Sequence, residues 1–456
     1  MYLRALQIKN RKSEIIYDVQ FLTPNKEYGQ GPLTSIIIGA NGAGKSFLLA
    51  QITDLFAHCD NKSHKWRYDY YHAEIVDGKE VYDIVVDKQN PKNNINNLPK
   101  SLKILAVSYV LNDKFLFQKR DPKLRYQYLG VRQSSNAAFT TDLERQIIEI
   151  LLDLDREHEK LEGIKRILKY INWEEKISLK IFFKPSIQKK INSKGKNLID
   201  ERLKALDRST KYRSLCSLIN DNLGKILFWE DELQKKGCIQ FNLLNSDIKS
   251  FDVLSFRFLN ALGLINYELN VQKQGEVFSL AWAASGEKQL LFTCLNILAH
   301  INSQSIVLID EPEISLHPNW QMGYIQLLKN LFKNYNCHFI LATHSHYLVS
   351  DSDAHTSSII RLRREKKHIL SAHPEDINTY AWSAENVLYE VFDVVTTRNR
   401  FVAEELAEIL EKLSGCGQSI CTIDAQKKEK LRYLKITLKD VDPLKAVVES
   451  LLSKIG

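Results

Sequence analysis

At 456 residues and 52.7 kDa the chain has room for about three domains, and its 44% hydrophobic and 26% charged content is that of a globular protein. Eighteen Gly and ten Pro exclude collagen-like and largely disordered classes, and no apolar run approaches the ~20 residues of a membrane-spanning helix. Sixty-three basic residues against 55 acidic ones leave +8, a surplus that permits nucleic-acid contact without requiring it.

The first sixteen residues alternate apolar and polar side chains and hold no compact apolar segment of a secretory signal. Alternation through Leu3, Ala5, Gln7 and Lys9, then 15–21, predicts two strands; 35–38 is a β-branched run expected as a buried strand, and 47–56 a helix. Between these last two stand Gly39, Ala40, Asn41, Gly42, Ala43, Gly44, Lys45 and Ser46, matching GxxxxGK[ST]. Glycines let successive backbone N–H groups turn inward onto phosphate oxygens, and the following helix adds its positive N-terminal dipole. Lys45 would reach the outer phosphates, and the Ser46 hydroxyl would bind Mg²⁺. Residues 66–88 read as a hairpin around Asp77-Gly78, and 104–107 as another buried strand.

From about 140 to 264 the pattern turns mostly helical, with Leu143, Ile147, Ile150, Leu151 and Leu154 at helical spacing; 177–183 is the one clear strand candidate there. Strand signals return at 276–282, followed by a helix over 286–300 and two buried runs at 306–309 and 338–342. The first of these runs ends in Asp310-Glu311. An acid at an exposed strand end can hold a metal's water shell, and Glu311 beside it can polarise an attacking water as general base. Past 371 the pattern is helical to the end. The seven cysteines are scattered, odd in number and without a CxxC pair, as suits a reducing cytoplasm and neither a metal cluster nor a disulfide framework.

The glycine loop is followed by Ala284-Ser285-Gly286-Glu287-Lys288-Gln289 at a helix start, by Asp310 about 25 residues on, and by His344 about 34 beyond that. This order resembles the ABC-type P-loop ATPases. The resemblance implies an α/β ABC-type P-loop ATPase head with an antiparallel β subdomain, to which the residue pattern adds a mostly helical insertion and a helical C-terminal tail. It also implies ATP and Mg²⁺ as ligands, with two heads closing on two nucleotides in a homodimer and in higher homo-oligomers. Ser285 and Gly286 would then bind the other chain's ATP, and His344 would contact the γ-phosphate; without the resemblance, Ser285 reads as a helix cap and His344 as a strand-end histidine. No NKxD guanine-reading motif is present, so ATP is expected rather than GTP. The family's glutamine loop should follow 104–108, where Asn112 and Gln118 are rival substitutes.

The run Asp310-Glu311-Pro312-Glu313-Ile314-Ser315-Leu316-His317-Pro318-Asn319-Trp320-Gln321 is similar to the DEPExxLHPxxQ stretch of RecF-like and OLD-like soluble ABC ATPases, with His317 expected to shape the loop. The segments Tyr126-Gln127-Tyr128-Leu129-Gly130-Val131-Arg132 and Thr397-Arg398-Asn399-Arg400-Phe401 resemble ATPase subunits of bacterial anti-phage systems. The nearest are the Septu ATPases, which act with a separate HNH nuclease; PARIS-type ATPases with a Toprim effector and RecF-like repair ATPases are the alternatives. The organisation this implies is an N-terminal head lobe over 1–115, an insertion over 116–270, a second head lobe over 271–375 and a partner-binding tail over 376–456.

Asp393, Asp440 and Asp442 do not make a Toprim constellation, and no HNH set is present, so cleavage is expected from a partner. In the tail, Phe401, Leu406, Ile409, Leu410 and Leu413 share one helical face, fit either for the chain's own core or for a partner. Residues 184–213 carry ten basic and three acidic side chains, nearly the whole surplus of the chain; the stretch reads as a solvated helical face or as a contact for DNA phosphates.

Overall fold

The computed structural model describes the chain except residues 24–28, 30, 61–66, 89–97, 109, 111–112, 119–120, 122, 133–142, 155–156, 195–222, 245–249, 367–368, 376, 393, 395–403, 405, 412–424, 439–441 and 456. Its contacts divide it into two units, Met1–Trp382 and Ser383–Gly456.

Among the described residues, the first unit holds three sheets. A seven-stranded sheet runs in the order β17 (Pro374–Glu375), β14 (Ser357–Arg361), β3 (Leu33–Ile38), β13 (His338–Ala342), β12 (Ser305–Asp310), β6 (Lys103–Ser108), β7 (Tyr126–Tyr128). All neighbours in it are parallel except β17. Every residue of β3, β12, β13 and β14 is buried. This is why β3, β12 and β13 read as near-continuous apolar runs and not as alternating ones, whereas β14, Ser357-Ser358-Ile359-Ile360-Arg361, shows no such run. Facing it is a six-stranded sheet of β15 (Arg363–Lys366), β16 (Ile369–Ala372), β2 (Ile15–Gln20), β1 (Tyr2–Lys9), β4 (Tyr70–Asp77) and β5 (Glu80–Asp87), antiparallel apart from β16 on β2.

The helix Lys45–Asp60 is enclosed in the core these two sheets share: Leu48, Leu49, Ile52, Leu55 and Phe56 pack with Leu6, Ile8, Ile75, Ile104 and Ile340. Across the same core, His338 of β13 accepts from the Leu3 amide of β1 at 3.1 Å through Nδ1, so its proton sits on Nε2, 2.8 Å from the Ser35 hydroxyl. Burial and the nearby N-terminal ammonium push its pKa down to about 3, which keeps the ring neutral.

Between the two head segments, the helices Leu143–Asp153 and His158–Tyr170 lie on the helix Ser285–His300. A four-stranded antiparallel sheet is formed by β11 (Glu276–Ser279), β10 (Ile265–Lys273), β8 (Ile177–Phe183) and β9 (Ile239–Asn242), so it reaches past the end expected for the insertion. Only β8 and β11 carry a local strand signal; β10 spaces its buried positions irregularly, and its pairing with β8 is what makes it a strand. The expectation of helix from 371 onward is corrected in the same way. Ile369–Ala372 and Pro374–Glu375 are short strands recruited by β2 and β14, where an open sheet edge outweighs local preference.

In the second unit, Leu406 and Ile409 are buried with Leu431, Val448 and Leu451, the last three on the helices Ala425–Thr437 and Pro443–Ile455. The single apolar face expected of the tail is therefore split: Leu406 and Ile409 serve the unit's own core, whereas Leu410 is 47% exposed. Phe401 and Leu413, the segment 397–401, Asp393 and Asp440 lie outside the described residues. So does residue 195 onward of the basic stretch, with Lys196, Arg202, Lys204, Arg208, Lys211 and Arg213.

Candidate active site

Strand order brings the chemistry together. β12 and β13 are adjacent and parallel, and β13 lies against β3, so the loops after all three leave the sheet at one edge. The glycine loop turns there with φ of +76° at Gly42 and +95° at Gly44. A Cβ on Gly44 would in addition press on the Tyr17 hydroxyl and on Leu370.

The loop hands over to Lys45 and Ser46 in the first turn of the helix. Lys45 is buried and donates through Nζ to the carbonyls of Gly39 (3.0 Å) and Ala40 (3.5 Å). Its third partner is Nε2 of His344, at 2.7 Å across 299 residues of sequence. Burial pulls the Lys45 pKa down, opposed by Glu311, Glu313 and Asp310; burial and the Lys45 charge likewise lower that of His344. The pair is thus an ammonium donating to a neutral imidazole.

Ser46 donates to Asp310 at 2.8 Å, Oγ to Oδ1. Asp310 closes β12 and is buried; desolvation, with the charges of Glu311, Asp113 and Glu313, drives its pKa up to about 7 against the Ser46 bond. A hydroxyl and a carboxylate held together among further acids make a hard oxygen set, which fits Mg²⁺. Glu311 follows with φ of +47°, a left-handed backbone that a β-type continuation would not take. Its amide donates to Ala342 at 2.9 Å, and its carboxylate lies 3.9 Å from His344 Nε2, partly open to solvent.

Glu313, to which sequence reasoning gave no role, accepts from the His344 amide at 2.6 Å, while burial raises its own pKa. It ties the end of β12 to the end of β13, and the signal for it is the second acid of Asp-Glu-Pro-Glu. Gln321 works alongside, donating to the Leu316 carbonyl at 2.9 Å and accepting from the Ser345 hydroxyl at 2.6 Å. His317 caps the helix Pro318–Met322, its Nδ1 accepting from the Asn319 amide at 3.3 Å, so it shapes the loop.

Ser285 is exposed at the first position of the helix Ser285–His300, with Ala284 in the capping position. Gly286 is buried against the carbonyl of Ser315. No hydrogen bond or ion pair among the described residues joins Ser285 or Gly286 to the loop 39–46. Glu287 follows Gly286 in the first turn of this helix. It is buried and holds the helix start in place, accepting from the Ala284 amide (3.0 Å), from Lys273 (2.9 Å) and from the Trp173 indole (3.2 Å). Of the two rivals for the glutamine loop, Asn112 lies outside the described residues and Gln118 is half-buried.

Residues 169–350 match the family described as "AAA domain, putative AbiEii toxin, Type IV TA system", a stretch that holds Ser285, Asp310, Glu311 and His344 but not the glycine loop. The chain is 24% identical over 392 residues to the Retron Vc95 probable ATPase of Vibrio cholerae serotype O1 biovar El Tor, covering 76% of this chain and 73% of that one. It is 21% identical over 463 residues to the Endonuclease GajA of Bacillus cereus (strain HuB5-5), covering 83% of this chain and 63% of GajA. Among solved structures, the SMC head domain from Thermotoga maritima aligns over 83% of this chain and the whole of its own, at 11% identity and a TM-score of 0.38.

Proposed function

We propose that the chain is a nucleotide-driven switch: it binds and slowly hydrolyses ATP at the β3–β12–β13 edge and thereby controls a nuclease, as in the anti-phage ATPases its sequence resembles. The observation that carries the reading is the convergence of Lys45 and His344 at 2.7 Å with Ser46 and Asp310 at 2.8 Å, four side chains from three separate stretches of sequence.

In this reading the loop amides and Lys45 bind the phosphates, Ser46 and Asp310 hold Mg²⁺, Glu311 takes a proton from the attacking water, and His344 reports on the γ-phosphate beside it. When bound, Mg²⁺ neutralises charge on the β- and γ-phosphates. Lys45 exchanges its own-chain partners, the Gly39 carbonyl and His344, for phosphate oxygens, so nucleotide binding frees His344 to reorient. The exposed Ser285 and the neighbouring Gly286 complete the site of a second copy, which makes dimerisation depend on ATP. The nuclease is a separate HNH-type subunit of the Septu kind docking on the tail, and residues 184–213 contact DNA. The similarity to the Retron Vc95 probable ATPase supports the ATPase part of this reading.

The experiment compares Lys45→Ala and Glu311→Gln with the parent. Lys45→Ala should lose ATP binding. Glu311→Gln should bind ATP, hydrolyse it ~10²–10⁴-fold more slowly and accumulate an ATP-dependent dimer in sedimentation. Parental turnover in both variants would remove these roles. A second reading, that this chain itself cuts nucleic acid, draws on its likeness to the endonuclease GajA. Cleavage of plasmid DNA by the purified chain with Mg²⁺ alone would favour it over a separate nuclease.

A further inference from the structure

Beside Asp310, β6 ends at Ser108, its register partner across the strand pair. The stretch after β7 continues along the far side of β6: the Leu129 amide donates to Ala106 at 2.8 Å and the Val131 amide to Ser108 at 3.2 Å. At this corner three side chains lock together. Arg132 forks onto Asp113, Nη2 to Oδ1 at 2.6 Å and Nε to Oδ2 at 3.1 Å, while the Tyr128 hydroxyl donates to Oδ2 at 2.7 Å. Arg132 also donates to the Phe115 carbonyl at 2.6 Å, and the Phe115 amide returns to Asp113 Oδ1 at 3.0 Å.

The Asp113 side chain is fully buried and that of Arg132 nearly so. A buried ion pair of this kind is seldom worth its desolvation as stability alone, and its best-attested use is to fix one arrangement over others. The local backbone is shaped for it. Tyr128 folds back over Gly130 so closely that a Cβ there would collide with the phenol, which accounts for the glycine in Tyr128-Leu129-Gly130-Val131-Arg132. Phe117 packs edge-on against the Tyr128 ring at 5.6 Å, tying the stretch 113–118 to the same corner.

We propose that Asp113, Tyr128 and Arg132 are positioning residues of the hydrolytic site: their lock fixes residues 113–118 against 128–132 at the end of β6 and so orders the wall next to Asp310 that the metal and the attacking water meet. Of the three, Asp113 falls in the stretch after 104–108 where a glutamine loop is looked for, and it is held there by a buried ion pair. Asp113 is also among the carboxylates whose charge Asp310 feels. The inference rests on the ATPase reading above.

Tyr128→Phe and Asp113→Asn keep shape and volume and remove one element of the lock each; Arg132→Lys keeps the charge and loses the fork. Expected for all three is ATP-analogue affinity within ~3-fold of the parent with kcat lower by ~10–100-fold, the signature of a displaced wall and not of a lost binding contact. Amide exchange over 113–118, measured without nucleotide, should speed up by ~10-fold or more. Folded variants with parental kcat and parental exchange would overturn the proposal, as would affinity and kcat falling together. A parent chain that hydrolyses no ATP would instead remove the ATPase reading, and unchanged exchange in the variants would then count separately against the lock.

Discussion

Replacing Gly286 by alanine adds one methyl at the start of the helix Ser285–His300, and the structure gives the consequence. The new Cβ would lie 2.5 Å from the Ser315 carbonyl oxygen and 3.3 Å from the Trp320 ring. Ordinary contact begins at 3.4 Å, so the carbonyl must retreat by about 0.9 Å. It has little freedom to do so: Ser315 already sits at φ +64°, and Gln321 holds the next carbonyl, Leu316, at 2.9 Å. Overpacking costs ~1–3 kcal/mol, and the helix preference for alanine returns at most ~1, so the expected net loss is about 1–2 kcal/mol.

Because Ser315 lies on the loop that begins with Glu311 and Glu313, the displacement should also lower ATP turnover by ~10-fold or more. Gly163→Ala is the matched control. Its Cβ would meet only the terminal methyls of Leu298, at 2.9 and 3.0 Å, the mobile end of a side chain. That variant should stay within ~1 kcal/mol of the parent with normal turnover. Urea midpoints and steady-state hydrolysis on the three proteins decide it. A Gly286→Ala protein as stable as the parent, or no worse than Gly163→Ala, would refute the reasoning.

Protonating buried His338 should destabilise the head in mild acid. Its folded pKa, near 3, lies below the unfolded value of 6.5, so its contribution is complete above pH 6.5 and falls as pH drops toward 3. The decline is ~1.4 kcal/mol per pH unit, about 2 kcal/mol between pH 6.5 and 5, and His338→Gln should lack that slope in urea titrations. In the tail, Leu406→Ala should lower the melting temperature of the Ser383–Gly456 unit through a loss of ~2–3 kcal/mol, while exposed Leu410→Ala leaves it unchanged. Equal effects would show that the two leucines are not divided between core and surface.

The local parts of the site are legible in the sequence because short-range physics fixes them. A phosphate-binding turn needs its glycines and its Lys-Ser within eight residues, and strands buried on both faces favour near-continuous apolar runs, as at 35–38, 306–309 and 338–342. The second acid of Asp-Glu-Pro-Glu is visible there too, but its bond to the His344 amide is not, since nothing within four residues specifies it. Strands such as β10 and β16 are hidden for the same reason: their own residues barely prefer an extended form, and a neighbouring edge supplies the preference.

The amino-acid order by itself determined which groups could handle a phosphate and a metal. Only the tertiary structure decided that they meet. Lys45 and His344, or Asp113 and Arg132, come into contact because β3, β13, β12, β6 and β7 lie side by side and in parallel. Strand order depends on how the whole core closes, over separations at which local sequence pattern carries no information.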